Sequence, residues 1–226
     1  NIKRLTSTII GETMSDEINL KDKIIDAALK NINFDGWSKD SILTGFKAHS
    51  IGEKTYDDLF PRGTIDAVLH FGDFTDRQMI NLYDKNDNKD LRMPEKIKSL
   101  LLVRFEILKP YKEAVRRSIG ILALPNNSKL ALKAMYNSTD EIWKAAGDRA
   151  TDFSFYTKRA TLAGIYSSSL MYWLGLSDPD LKNVEQFIDR RLDNVNMIGK
   201  FTKPIKDTIK FSFDPLSKFS FFNFNK

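Results

Sequence analysis

Cysteine is absent from the 226 residues, which excludes disulfides and thiolate metal sites and fits a reducing compartment. Histidine is nearly absent, with only His49 and His70 present. Neither stands in a Glu-x-x-His motif, so the paired carboxylate–histidine iron site of helical bundles is missing. A Gly-x-Ser-x-Gly elbow, a phosphate loop and a Gly-x-Gly-x-x-Gly fingerprint are missing too. No catalytic residue, metal ligand or cofactor is therefore assigned. His70 falls on an apolar helical stripe and reads as a core or cavity histidine, whereas His49 reads as a helix end. No run approaches the ~20 apolar residues of a membrane-spanning helix, and no secretory apolar region is visible. Strand signals are scarce, and helical periodicity dominates.

Positive charge is present but unevenly placed. Residues 200–226 hold six lysines against Asp207 and Asp214, so little of the net charge of +5 is left for the remainder. Seven of the sixteen phenylalanines lie between Phe201 and Phe224, interleaved with those lysines. Pro204 is expected to begin a short helix with Ile205, Ile209 and Phe213 on one face, and Asp214-Pro215 a second with Leu216, Phe219 and Phe222. Helices this short are marginal in water. On a membrane the apolar side chains enter the headgroup boundary while lysines meet anionic lipid. These six residues are the expected membrane contact, since so many aromatics exceed what a short extension buries against its own body. At the other end, NIKRLTSTIIGET has no acid before Glu12, and residues 1–20 are expected to form a flexible tail.

Between the tails the pattern is all-α. Ile24, Ile25, Ala28 and Leu29 form a first stripe; Asp35-Gly36 turns the chain, and Ser38 is placed to cap a second helix reaching about Lys47. A third short helix is expected over Glu53–Phe60, stopped by Pro61 and Gly63. Residues 21–63 thus read as a helix-turn-helix-like unit. The body, residues 64–199, carries longer helices over Thr64–Tyr83, from Pro94 to Leu108, over Tyr111–Leu124, Ser128–Ala146 and Pro179–Ile198. Around Ile142–Gly175 the chain is most specific: Leu162, Tyr166, Leu170 and Trp173 recur at helical spacing, and Ala163, Ile165, Met171 and Leu174 make the far side apolar. Such a helix is expected to be buried all round. Asp148, Asp152, Lys158 and Arg159 crowd its beginning beside Phe153, Phe155 and Tyr156, either as a cap with an ion pair or as a partner surface.

The runs Asp140-Glu141-Ile142-Trp143, Ala146-Gly147-Asp148, Thr151-Asp152-Phe153 and Tyr156-Thr157-Lys158-Arg159-Ala160 resemble the ubiquinone-biosynthesis accessory family, that of the ninth coenzyme Q biosynthesis protein and its bacterial relatives. Further matches at Asp35-Gly36-Trp37, Arg104–Pro110, Leu124-Pro125-Asn126 and Phe187–Leu192 extend the resemblance over most of the chain. It implies a TetR-like fold and a lipid-binding body holding an isoprenoid quinone or other lipid. Leu101, Phe105, Leu108, Ile119, Leu122, Met135, Leu162, Tyr166 and Leu170 are the candidate wall. Periodicity alone fits a dry core equally, and the resemblance favours a cavity.

The resemblance further implies a di-iron demethoxyubiquinone hydroxylase as partner, meeting Asp140, Ile142, Asp152, Phe155, Tyr156 and Arg159. Relatives often place Met where Ile142 stands and Trp where Phe155 stands. It implies a peripheral protein of the inner membrane, cytoplasmic or, in a eukaryote, on the mitochondrial matrix side. A homodimer through the last two long helices is a further expectation. The rival reading is a TetR-type DNA-binding regulator with a hydrophobic ligand pocket. Against it, Thr55-Tyr56-Asp57-Asp58-Leu59-Phe60 puts two aspartates where phosphate contacts belong, and Ser38–Arg62 carries no net charge. No nucleic acid is expected as a partner.

Overall fold

The computed structural model describes the backbone of residues 2–86, 88, 90–151, 153–177 and 181–206, and the side chains of residues 14–86, 88, 90–151, 154–177 and 181–194. Nine α-helices run through the described residues: α1 (Ile2–Asp35), α2 (Lys39–Ala48), α3 (Tyr56–Leu59), α4 (Thr64–Tyr83), α5 (Met93–Leu108), α6 (Lys112–Leu122), α7 (Ser128–Ala145), α8 (Phe153–Gly175) and α9 (Leu181–Lys206). Single turns of 3₁₀ helix precede α3, α6 and α7, and no strand occurs among the described residues.

Local chemistry sets the boundaries. Gly36 ends α1 at φ +94°, a conformation side chains disfavour. The Ser38 hydroxyl then accepts from the Ser41 amide and caps α2. Gly45 lets α2 cross α1 at close range: a methyl at that position would stand 2.0 Å from the Ile24 carbonyl oxygen. Pro94 lies in the first turn of α5, where its missing N–H costs nothing, and Glu95 reaches back to the Arg92 amide.

One apolar core runs from Ile24 of α1 to Ile188 of α9. α1 packs on α2, α4 and α6; α4 on α5 and α7; α8 between α7 and α9. Trp173 of α8 is completely buried and meets Phe105 of α5 with ring centroids 5.6 Å apart.

Four expectations are corrected. The expected tail over residues 1–20 is helical from Ile2 and continuous with α1. The expected helix Glu53–Phe60 is a 3₁₀ turn followed by a four-residue α3. α8 is not buried all round, since Met171 is 60% exposed. α9 continues through Pro204 to Lys206, so Ile205 belongs to it rather than to a new short helix. The other expected membrane contacts, Ile209, Phe213, Leu216, Phe219 and Phe222, lie outside the described residues.

Candidate functional site

α4, α5, α6, α7 and α8 line a partly open cavity of about 130 Å³. Six of the nine candidate wall residues line it: Leu108, Ile119, Leu122, Met135, Tyr166 and Leu170. Leu101, Phe105 and Leu162 are fully buried in the core without lining it. α4 contributes Val68, Phe71, Gly72 and Thr75, which periodicity did not single out as a wall. Gly72 leaves room there, since a methyl on it would meet nothing within 4 Å. Leu122, Ile119 and Ala131 are half-buried at the α6–α7 side, and Leu124 and Leu132 on the same two segments are well exposed.

One wall is polar. The Arg104 guanidinium is 4% exposed and donates from Nε to the Tyr166 hydroxyl at 2.8 Å and from Nη1 to Asp76 Oδ1. Ser138 donates to the other Asp76 oxygen at 2.7 Å. Burial pushes the Asp76 carboxyl above the ordinary carboxylate range, against the pull of Arg104 and Ser138. For Arg104, burial opposes the charge, but Asp76 and Tyr166 outweigh it and keep the guanidinium firmly protonated. Sequence reading missed this network. Its signal was an acid and a base lodged in apolar stripes, Asp76 among Val68, Phe71 and Met79, and Arg104 among Leu101, Phe105 and Leu108.

At the α7–α8 junction Arg159, 3% exposed, donates from Nε to Asp140 at 2.6 Å and from Nη1 to Asp148 at 3.4 Å and to the Phe155 carbonyl at 3.1 Å. The Phe155 ring lies 3.3 Å from the guanidinium. Lys158 reaches Asp148 at 2.6 Å, Lys144 reaches Asp140 at 2.7 Å, and Trp143 Nε1 donates to the Lys158 carbonyl. Of the expected partner surface, Tyr156 is 66% exposed, and Phe155 and Asp140 are half-buried. Ile142 is fully buried and Arg159 nearly so, which corrects their assignment as contact residues: Ile142 is core, and Arg159 orients Phe155 and Asp140. Asp152 lies outside the described residues. Leu132 and Tyr136, one turn apart on α7, are exposed apolar side chains outside the expected partner surface.

His70 is anchored: its Nε2 lies 2.7 Å from Asp22 Oδ1, and Arg77 binds the same carboxylate. Among the described residues no three His, Asp or Glu side chains gather to hold a metal ion, and no helix is long and apolar enough to cross a membrane.

A model of the COQ9 family matches residues 128–199, which include the α7–α8 junction and all of α8. A ubiquinone biosynthesis protein COQ9-B, mitochondrial, of Xenopus laevis is 31% identical over 205 residues, covering 88% of this chain and 70% of its own length. The chain belongs to the COQ9 family. The human COQ9 protein is 28% identical and the Dictyostelium discoideum protein, a probable COQ9, also 28%; the chain spans 64% of each. Among solved structures, a TetR transcriptional regulator from Nitrosomonas europaea superposes with a TM-score of 0.61 over 77% of this chain and 97% of its own, at 18% identity. That likeness gives the COQ9-family chain a TetR-like fold. In its helix-turn-helix-like unit Tyr56 is 3% exposed, and Lys39 lies 4.5 Å from the Tyr56 ring and 3.5 Å from Asp57.

Proposed function

We propose that this chain serves ubiquinone biosynthesis as a non-catalytic lipid carrier. It holds a polyprenylated quinone intermediate in its helical body and presents it to a di-iron demethoxyubiquinone hydroxylase. The observation that carries the reading is the cavity, lined mainly by Leu108, Val115, Ile119, Leu122, Met135 and Leu170, in a chain of the COQ9 family. Apolar walls give a lipid its binding free energy through the area they remove from water. The mitochondrial relatives support a place on the matrix face of the inner membrane, with residues 200–226 as the membrane contact. The hydroxylase would meet the exposed Tyr156 beside Phe155 and Asp140.

Native mass spectrometry of the purified chain tests the first step. Co-purified isoprenoid quinone is the expected result, and a chain free of lipid after expression in a quinone-producing host overturns the reading. Duplex binding is disfavoured because Tyr56 is buried and the exposed carboxylates of Asp57 and Asp58 stand where phosphate contacts would fall, repelling the backbone.

A further inference from the structure

We propose that the cavity takes the oxygenated ring of the lipid rather than its polyprenyl tail, with the Tyr166 hydroxyl as the donor to a ring oxygen. This rests on the lipid-holding role above and adds the orientation. The volume is the first reason: about 130 Å³ is close to the apolar cavities of about 150 Å³ that hold a benzene ring. A long tail exceeds it, whereas a single six-membered ring is matched.

The hydrogen-bond inventory is the second reason. The Tyr166 hydroxyl accepts from Arg104 Nε at 2.8 Å and donates to no described residue. Its proton is therefore available at the wall of an apolar cavity. A hydrocarbon tail offers that proton nothing, while a quinone carbonyl or a phenol oxygen accepts it.

The geometry is held from behind. Asp76 takes Arg104 on one oxygen and Ser138 on the other, so the guanidinium is fixed and cannot swing away from Tyr166. The cationic donor on the phenol oxygen draws electron density from it and strengthens the O–H as a donor. Apolar side chains on the facing walls, Leu108, Val115 and Ile119 among them, offer that proton no competing acceptor. The tail would leave at the half-buried α6–α7 side past Leu122 and Ala131.

Titration calorimetry with the full chain tests this, using two probes: a benzoquinone carrying two isoprene units, and 2,6-dimethylocta-2,6-diene, the same tail with no ring and no oxygen. Tyr166→Phe is expected to weaken the quinone about tenfold, the share of one buried hydrogen bond, and to leave the diene unchanged. Gly72→Leu adds bulk where a methyl meets nothing and favours the helix; it is expected to keep the fold and abolish quinone binding. Equal effects of Tyr166→Phe on both probes, or none on the quinone, overturn the ring assignment and leave the carrier role standing. Full quinone affinity in Gly72→Leu places the lipid elsewhere and also overturns it. Failure of both probes to bind the unaltered chain removes the carrier role and the assignment with it.

Discussion

Arg104 and Arg159 are both buried, and each guanidinium is paired with an aspartate fixed beside it. Replacing Arg104 by Leu strands Asp76 in the interior, a loss of about 3–5 kcal/mol when one partner of a buried pair is removed. The double variant Arg104→Leu, Asp76→Leu is expected to lose less than either single one, read as urea midpoints. Gly45→Ala is a test of another kind. Its methyl would meet the Ile24 backbone at 2.0 Å, so α1 and α2 must separate, and a loss of about 1–3 kcal/mol is expected from overpacking. At the proposed hydroxylase surface the two obvious substitutions are not equivalent. Asp140→Lys sets a second cation against the buried Arg159 and is expected to lower the melting temperature. Tyr156→Ala removes an exposed ring and is expected to weaken hydroxylase co-purification with the melting temperature unchanged.

The junction of α7 and α8 is held by acids whose titration has a defined sign. Burial alone would raise Asp140 and Asp148, but Lys144 and Arg159 outweigh it for the first and Lys158 for the second, so both carboxyls fall below the ordinary range. A carboxyl depressed in the fold contributes stability above its unfolded pKa of about 3.9 and loses it as pH falls through the folded value. Acid melting is therefore expected to steepen below about pH 4, with a weaker pH dependence in Asp148→Asn, measured by circular dichroism. The starts of α2 and α4 were legible in advance, because the Ser38 cap, Gly63 and the apolar stripes are local signals. The cavity wall was only partly legible: Leu108 and Leu101 share one stripe, and spacing reports a face, not the void beside it. The Asp76–Arg104 pair spans 28 residues of sequence, and only packing brings its members together. Ile142 was misplaced because a place in a motif does not say which side of α7 a residue occupies.

At the scale of the molecule the core is continuous from α1 to α9, so the helix-turn-helix-like unit and the body share apolar contacts such as Trp37 with Phe71, 5.5 Å apart. A single cooperative melting transition is expected, and residues 64–199 alone are expected to expose that seam and lose cooperative melting. α4 has a double role in this arrangement. Val68, Phe71, Gly72 and Thr75 border the cavity, while His70 and Arg77 of the same helix are tied to Asp22 of α1. The helix therefore joins the cavity wall to α1 through the single carboxylate of Asp22. A ring that steadies α4 from the cavity side is expected to slow amide exchange near Asp22 when quinone is added, and Asp22→Asn is expected to remove that effect, so that the occupancy of the cavity is read at a helix that does not line it.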